Sequence, residues 1–192
     1  MKQKLKVIHI EHCSHSYFVS DNKNLDEVVK GSWGTQVGRE VKRFYPNIEV
    51  ECWFPEKIEK EKRVFNYLNM KMKIFPTTFS PMYALDFSLQ MIRELKEEIN
   101  NCKINNIKLI IHIHEYHNLH GLLIAGLFKR QKMIAQHHGG SWPLKHLKQT
   151  KKYLLFFPFF LIGQILEKIV LKNIECFFAL SQEEITYLKK IS

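Results

Sequence analysis

One stretch of the chain, residues 108–136, restricts the fold more than any other. It begins with Lys108-Leu-Ile-Ile-His-Ile-His114, a nearly continuous apolar run that is typical of a strand covered on both faces of its sheet. Leucines at helical spacing follow, and residues 133–136 form a second short apolar run. This order predicts a βαβ unit, in which two neighbouring strands are parallel and a helix crosses between them.

The rest of the chain continues the alternation of strands and helices. Further strands are expected at residues 5–10, 48–54, 72–75 and 175–180. Helix starts are expected at Gly34-Thr35 with Thr35 as the cap, at Ser80-Pro81, at residue 164 and at the capping box Ser181-Gln-Glu-Glu184. The six strands interleaved with helices predict an α/β fold with a doubly wound parallel sheet, a Rossmann-like three-layer sandwich formed by a single domain over residues 1–192.

Two segments are expected to lie outside this regular pattern. Residues 12–33 have mixed polarity and form a long connection between the first strand and the first helix, and long loops of this kind are often functional. Residues 56–63 mix charges of both signs and are expected on the solvated surface.

The charge and the cysteine content narrow the expected partners and compartment. The 192 residues have a formal net charge of +10 and 45% of them are hydrophobic, so the chain can bury one substantial core and attract anions. Nucleic acid is not the expected anion, because the basic residues are spread along the chain and the aromatic residues are not interleaved with arginines. The four cysteines form no C-x-x-C pair, which favours a reduced, cytoplasmic protein.

An apolar run at residues 153–162 bears on membrane contact. It is too short to span a bilayer, which takes roughly twenty apolar residues, and Pro158 interrupts it. Lys148, Lys151 and Lys152 precede the run, and lysines beside aromatic side chains suit the headgroup layer of an anionic membrane. We therefore expect peripheral contact with the inner face of the cell membrane. Packing of the phenylalanines in the core or against another domain is the alternative.

Polar and flexible residues gather where the two strands of the βαβ unit end. His114 and Glu115 follow the first strand, and the second strand leads into His137-His138-Gly139-Gly140-Ser141. In open α/β sheets ligands bind at the carboxyl ends of the strands, so these residues are candidate ligand contacts. Glycines let a ligand approach the backbone closely, and the imidazole of His138 can donate one hydrogen bond and accept another. Structural roles are the alternative for each of these residues.

The turn Gly31-Ser-Trp-Gly34-Thr35 is a second candidate contact. It opens a predicted helix, and the backbone N–H groups and partial positive charge of a helix start favour a phosphate or another anion. The alternative is a plain tight turn.

The histidine-rich segment also permits a metal site in principle. His112 and His114 lie on the same side of a strand and could bind zinc together with Glu115 or His117. We expect no metal, because His112 belongs to a strand that is buried on both faces and His117 begins a helix that turns away. The chain also lacks the G-x-S-x-G elbow of hydrolases and the Walker A motif.

Three motifs follow one another along the chain in a recognisable order. They are a glycine-containing first turn that opens a helix, an H-x-H-E strand end, and a strand that ends in His-Gly, with the sequence FFALSQEE after them. Together they resemble the amino-terminal domain of family 4 glycosyltransferases, which have two Rossmann domains in the GT-B architecture. The resemblance spans nearly the whole chain. It departs from the family at Ser32-Trp33, where adjacent glycines are common.

The resemblance implies transfer of a hexose from a nucleotide-sugar to a glycan or lipid-linked acceptor, as in cell-surface polysaccharide synthesis. His138 would lie beside the donor sugar as the catalytic histidine, His114 and Glu115 would line the acceptor side, and no metal cofactor would be needed. The carboxyl-terminal domain that holds most of the donor is expected to be absent, so this chain alone would show little or no turnover. The alternative from a different class is a non-catalytic, anion-binding module that docks on membranes.

Overall fold

The computed structural model describes residues 3–17, 24–138 and 156–191, and in these ranges it has a seven-stranded sheet. The strands are β1 (Leu5–Ile10), β2 (Glu49–Glu56), β3 (Arg63–Tyr67), β4 (Met70–Pro76), β5 (Lys108–His114), β6 (Lys132–Gln136) and β7 (Cys176–Phe178). Their order in the sheet is β3-β4-β2-β1-β5-β6-β7, and every neighbouring pair is parallel except β3 and β4. The predicted Rossmann-like α/β fold is confirmed.

Helices cover both faces of this sheet, as a doubly wound fold requires. Those in the described ranges are α1 (Leu25–Lys30), α2 (Trp33–Phe44), α3 (Leu89–Ile104), α4 (Leu119–Leu127), α5 (Phe157–Val170) and α6 (Gln182–Ile191). One core lies between α1 and α2 on one side and β2 and β4 on the other, and it includes Val29, Cys52 and Met72. A larger core on the opposite face joins α3, α4 and α5 to the central strands through Leu95, Ile111, Ile124 and Phe160.

The strand order determines where a ligand can enter. The chain passes from β1 to β2 and β4 on one side of the sheet and then returns to β5, which pairs with the other edge of β1. The direction of winding therefore reverses between β1 and β5. At such a switch point the connections leave the carboxyl ends of the two strands in opposite directions and open a crevice.

The cap of α2 lies three residues before the predicted one. The helix begins at Trp33, and its cap is Ser32, whose Oγ accepts the backbone N–H of Thr35 at 3.2 Å. Thr35 is therefore not the cap. Its own hydroxyl donates to the carbonyl of Val29 at 2.6 Å and ties α2 to the end of α1.

The start of α3, in contrast, lies later than predicted. The helix begins at Leu89 with Ser88 as its cap, not at Ser80-Pro81. Phe79 and Phe87 form an isolated antiparallel bridge, so the backbone between them loops out before the helix can start. Ser88 Oγ accepts the N–H of Met91 and also donates to the carbonyl of Pro76, which anchors the helix start to the end of β4.

The two segments expected outside the regular pattern contain structure of their own. The connection at residues 12–33 includes the 3-10 helix His15–Tyr17 and α1, while residues 18–23 lie outside the described ranges. The charged run does not lie wholly at the surface, because Glu56 is buried and accepts a hydrogen bond from the backbone N–H of Ser16. The rest of the run leads into β3, an antiparallel edge strand that the alternation did not predict.

The last third of the described chain confirms one prediction and corrects two. The capping box is confirmed, since the N–H of Glu184 donates to Ser181 Oγ at 3.2 Å. Helix α5 begins at Phe157, earlier than expected, with Pro158 in its first turn. Proline is tolerated there because N–H groups of the first turn have no hydrogen-bond partner within the helix. β7 has three residues and is largely exposed, so it is not the buried strand that was predicted. None of the described helices is long and apolar enough to cross a bilayer.

Candidate functional site

Three histidines form a hydrogen-bonded chain at the carboxyl ends of β1, β5 and β6. Nδ1 of His9 lies 3.1 Å from Nε2 of His114, and Nδ1 of His114 lies 3.0 Å from Nε2 of His138. His9 and His114 are buried. His138 is half-buried and is the member of this histidine row that faces the crevice. A neutral imidazole donates through one nitrogen and accepts through the other, so the proton position on His114 is coupled to those on both neighbours.

Burial keeps these rings uncharged. It lowers the pKa values of His9 and His114 well below the usual value, and the neighbouring histidines lower them further. Burial also lowers the pKa of His138, although Glu115 opposes this effect. The three hydrogen-bonded histidines are therefore neutral donors and acceptors at pH 7. They can present a directed hydrogen bond to a ligand hydroxyl.

Trp33 covers the crevice side of His138. The two rings are stacked, with centroids 5.1 Å apart and an interplanar angle of 23°. Trp33 is the first residue of α2, and 64% of its surface is exposed. An exposed indole beside a half-buried imidazole is a flat surface with an adjacent polar group, which suits stacking against a sugar ring or a base.

Glu115 is held in a strained conformation directly after β5. Its φ of 65° lies in the left-handed region that residues other than glycine rarely adopt. One carboxylate oxygen accepts the N–H of His117 and the other accepts the N–H of His138, both at 3.2 Å. Burial alone would raise the pKa of this carboxyl, but His117, His12 and His137 outweigh burial and leave the pKa below its usual value. Glu115 thus joins the segments that follow β5 and β6.

The start of α2 already holds an anion of the protein itself. The N–H of Gly34 donates to Oε1 of Glu11, 2.7 Å away, and a Cβ at position 34 would stand 2.8 Å from that oxygen and 3.4 Å from Cδ2 of His114. Only glycine allows this close approach of helix, carboxylate and imidazole. Gly31 lies outside this contact, because its N–H donates to carbonyl groups of α1.

The structure brings some of the predicted site residues together and separates others. His138, His114, Glu115 and Gly34 converge at the switch point, where His114 and Glu115 are buried behind His138. Contact of these two residues with an acceptor stays a prediction. Gly31 and Thr35 use their polar groups within the protein. Gly139, Gly140 and Ser141 lie outside the described residues, so their substrate contacts stay predictions.

Three site residues were not singled out from the sequence as functional: His9, Glu11 and Trp33. His9 had a detectable signal, because it is a polar residue inside an apolar strand and stands opposite His112 in the parallel register of β1 and β5. Glu11 comes directly after β1 and two residues after His9, so it lies on the same side of the strand as His9. Trp33 could have been flagged as a large aromatic residue at a helix start.

Two groups of side chains in the described ranges have metal-ligand spacing. One is His9, His112 and His114, and the other is Glu115, His117 and His137. The metal site considered from the sequence combined His112 and His114 with Glu115 or His117. The fold separates that set, because His112 and His114 face His9 of β1 while Glu115 and His117 face the segment after β6.

Comparisons with known proteins concern the fold. No protein-family model matches the sequence, and no curated protein matches it either. A solved structure of sucrose-phosphate synthase from Thermosynechococcus elongatus has a similar fold, with a TM-score of 0.55 and 12% sequence identity. The similarity covers 98% of this chain and 45% of that one, so the chain spans less than half of its structural neighbour. At this identity the likeness shows a common fold and nothing finer.

Proposed function

We propose that this domain is the acceptor-side half of a GT-B glycosyltransferase that moves a hexose from a nucleotide-sugar to a glycan or a lipid-linked acceptor. A second Rossmann domain would supply the other wall of the cleft and hold most of the donor. The fold likeness to a sucrose-phosphate synthase, which is about twice as long as this chain, supports a two-domain arrangement. The family 4 motifs of the sequence support the same class of reaction.

The position of His138 supports the proposal most directly. His138 lies at a topological switch point, where open α/β sheets bind ligands, between the exposed indole of Trp33 and the buried ring of His114. With Nε2 bonded to His114, Nδ1 of His138 is the nitrogen that can contact a sugar hydroxyl. A hydrogen bond aimed at the sugar from a water-poor site stabilises the transition state more than the same bond in water.

The other site residues would act through His138. His114 and His9 would set its tautomer, and Glu115 would fix its backbone through the bond from its N–H. Trp33 would form the stacking surface for the sugar or the base. Direct contact of His114 and Glu115 with the acceptor remains a prediction, and no step of the proposed transfer requires a metal ion.

The proposal is tested with the full-length protein and a panel of radiolabelled nucleotide-sugars, with the cell's own membrane lipids and glycans as acceptors. We expect one donor to support transfer, and His138→Ala to lower kcat/KM about 100-fold, the size of effect seen when one transition-state donor is removed. Trp33→Ala should raise KM up to about tenfold through lost stacking. Absence of transfer from every donor would contradict the proposal, and unchanged transfer by His138→Ala would remove His138 from the mechanism.

Phe44→Ala is the matched control for Trp33→Ala. Phe44 lies at the other end of the same helix and is 65% exposed, close to the 64% of Trp33. Both variants therefore lose an exposed aromatic side chain from α2. Only Trp33→Ala removes one that lies beside His138. Equal effects of the two substitutions on KM would show that Trp33 does not contact the substrate.

We also propose that the domain rests on the inner face of the cell membrane, where a lipid-linked acceptor is embedded. The support is an exposed apolar face on α5, a helix that is only partly covered by the rest of the described chain. Its exposed members include Phe159, Ile162, Ile165 and Ile169. Lys168 and Lys172 belong to the same stretch, and cations beside an apolar face favour an anionic membrane surface.

A further inference from the structure

We propose that Glu115, His117 and His137 bind a divalent transition-metal ion, with Zn²⁺ as the ion that best matches these ligands. The three residues follow the carboxyl ends of β5 and β6, next to the histidine chain but separate from it. This site goes beyond the proposed transfer reaction, which uses no ion. Two imidazoles and one carboxylate are a common ligand set for zinc and related metals.

The distances between the three groups suit one ion. One ligand atom of each residue lies within 4.8 Å of one from each of the other two. Nε2 of His137 is 3.7 Å from Oε2 of Glu115. That is too long for a hydrogen bond, but it is near the separation of about 3.4 Å that two ligands keep around a tetrahedral zinc with bonds of about 2.1 Å. Small side-chain movements would bring both atoms to bonding distance.

Two further carboxylates orient the imidazoles. Nδ1 of His117 is 3.1 Å from Oε2 of Glu167 on α5, and Nδ1 of His137 is 2.8 Å from Oε2 of Glu184 on α6. Metal-binding histidines usually donate their other ring N–H to a carboxylate in this way, which leaves a lone pair on Nε2 for the metal. His117 has this support as a hydrogen bond, whereas His137 has it as a close contact with Glu184 whose angle is not that of a hydrogen bond.

The carboxylates are themselves held by tyrosines. The hydroxyl of Tyr187 donates to Glu167, and the hydroxyl of Tyr116 donates to Glu184. Glu167 and Glu184 are buried, as is Glu115. Three carboxyl groups thus lie around two imidazoles, and burying ionised carboxylates is costly unless cations accompany them. A divalent cation bound between them would supply positive charge at this point.

The other histidine group is the weaker candidate. In its favour, Nε2 of His9 and Nε2 of His112 have no hydrogen-bond partner among the described residues. However, the group contributes no carboxylate to balance a dication, and the remaining nitrogen of His9 and both nitrogens of His114 belong to the chain that ends at His138. An ion bound there would break that chain. The two groups can be distinguished by substitution.

The test uses untagged protein stripped of metal with a chelator and then titrated with Zn²⁺ or Co²⁺. We expect one ion per chain by elemental analysis, and a visible absorption band of Co²⁺ typical of nitrogen and oxygen ligands. Glu115→Gln and His137→Ala should each weaken Zn²⁺ binding at least tenfold, and Glu184→Gln about 10- to 100-fold, the range for a carboxylate behind a ligating histidine. Circular dichroism confirms that each variant is folded.

His112→Ala is the matched control, since it removes a buried histidine of the same sheet from the other group. We expect it to retain parental affinity for Zn²⁺. Loss of binding in His112→Ala together with retention in His137→Ala would overturn the proposal in favour of the trihistidine group. Parent protein that fails to bind either ion would also overturn it, whether or not any variant folds. Sugar transfer is not measured, so the result is independent of the proposed function.

Discussion

Glu51 is a charged residue that lies in the interior of the described structure, where charges are rarely found. It is fully buried in the middle of β2, and its Oε1 lies 2.7 Å from Nζ of Lys6. Its Oε2 lies 2.8 Å from Nζ of Lys73 and accepts the indole N–H of Trp53 at 2.7 Å. Each oxygen therefore has a cation partner, which is the condition under which a buried carboxylate is tolerated.

Glu51→Ala should strongly destabilise the domain. The substitution leaves the buried Nζ atoms of Lys6 and Lys73 with only partly exposed carboxylates as partners, and we expect the free energy of unfolding to fall by about 3–5 kcal/mol at neutral pH, measured by urea denaturation. Glu49→Ala is the control, because Glu49 contacts the same Lys6 from a half-exposed position and should cost less than about 1 kcal/mol. Similar losses in both variants would show that burial of the Glu51 pairs is not what matters.

The same residue makes stability depend on acid. Burial would raise the pKa of Glu51, but Lys6 and Lys73 outweigh it and lower the pKa to about 2. The folded pKa is thus below the unfolded value of about 4.3, so the ionised carboxylate stabilises the fold above that pH and the contribution disappears as pH falls toward 2. We expect the parent and Glu51→Gln to converge in unfolding free energy over this range. A constant difference between them from pH 7 to pH 2 would contradict this linkage.

At the scale of elements, Gly38 allows α2 to pack closely against the sheet. A Cβ at this position would stand 3.0 Å from Sδ of Met70 and 3.2 Å from both Sγ of Cys52 and Cγ1 of Val50. The helix therefore rests directly on β2 and β4 at this point. The same close packing positions the first turn of α2, and with it Trp33, beside the ends of β1 and β5.

Gly38→Leu should force α2 away from the sheet. Overpacking of this kind typically costs about 1–3 kcal/mol. We expect a loss near the upper end of this range in chemical denaturation, because the three neighbouring side chains are buried. Arg39→Leu, at the next and exposed position of the helix, should change stability by less than about 0.5 kcal/mol. Trp33 fluorescence offers a second measurement, since displacement of α2 separates its indole from His138. Unaltered stability of Gly38→Leu would refute the packing role.

Which elements could be predicted from the sequence depends on how each element is buried. The strands β1, β5 and β6 are covered on both faces, so they appear as apolar runs that composition alone can detect. The β3–β4 hairpin was missed because its turn uses Leu68 and Asn69 at positive φ, without the glycine that usually marks such a turn. The start of α3 was misplaced because the Phe79–Phe87 bridge, a tertiary contact, overrides the local Ser-Pro signal.

Some residues of the candidate site could likewise be predicted from the sequence, and others could not. His114, Glu115 and His138 could be found from the sequence because they follow predicted strands, and parallel strands end at the same edge of a sheet. The contact between His9 and His114 joins residues 105 positions apart and depends on the pairing of β1 with β5, which no local pattern specifies. The inward orientation of Glu115 follows from its left-handed backbone, which sequence patterns also do not reveal.

At the scale of the whole molecule, net charge and the α5 face act together. The formal charge of +10 attracts the protein to an anionic bilayer, and exposed apolar side chains on α5 could then enter the headgroup layer. We expect the protein to float with vesicles that contain phosphatidylglycerol and not with neutral vesicles. Added salt should weaken this binding, because it screens the charges.

Substitutions separate the apolar and the electrostatic parts of this binding. Ile162→Glu, at a position 54% exposed on α5, should abolish flotation, whereas Ile104→Glu, at an isoleucine 80% exposed at the end of α3, should not. In the otherwise unchanged protein, replacing Lys148, Lys151 and Lys152, which lie outside the described residues, by glutamate should weaken flotation by removing their attraction to anionic lipid. If Ile162→Glu instead converts a dimer to a monomer in sedimentation and leaves flotation intact, α5 faces another protein and the membrane contact is wrong.

Glu11 has a consequence for which ligands can bind at the start of α2. Its carboxylate is held beside the N–H of Gly34 by the fold. It therefore competes with any incoming anion at a high effective concentration, which does not depend on the concentration of the protein. Inorganic phosphate and other small anions, abundant as they are, would gain too little to displace it. Under the proposed function, a larger ligand that also stacks on Trp33 and bonds to His138 would gain enough to take its place. We therefore expect Glu11 to make binding selective. Small common anions should bind weakly at the start of α2, and ligands with several points of contact should bind more tightly.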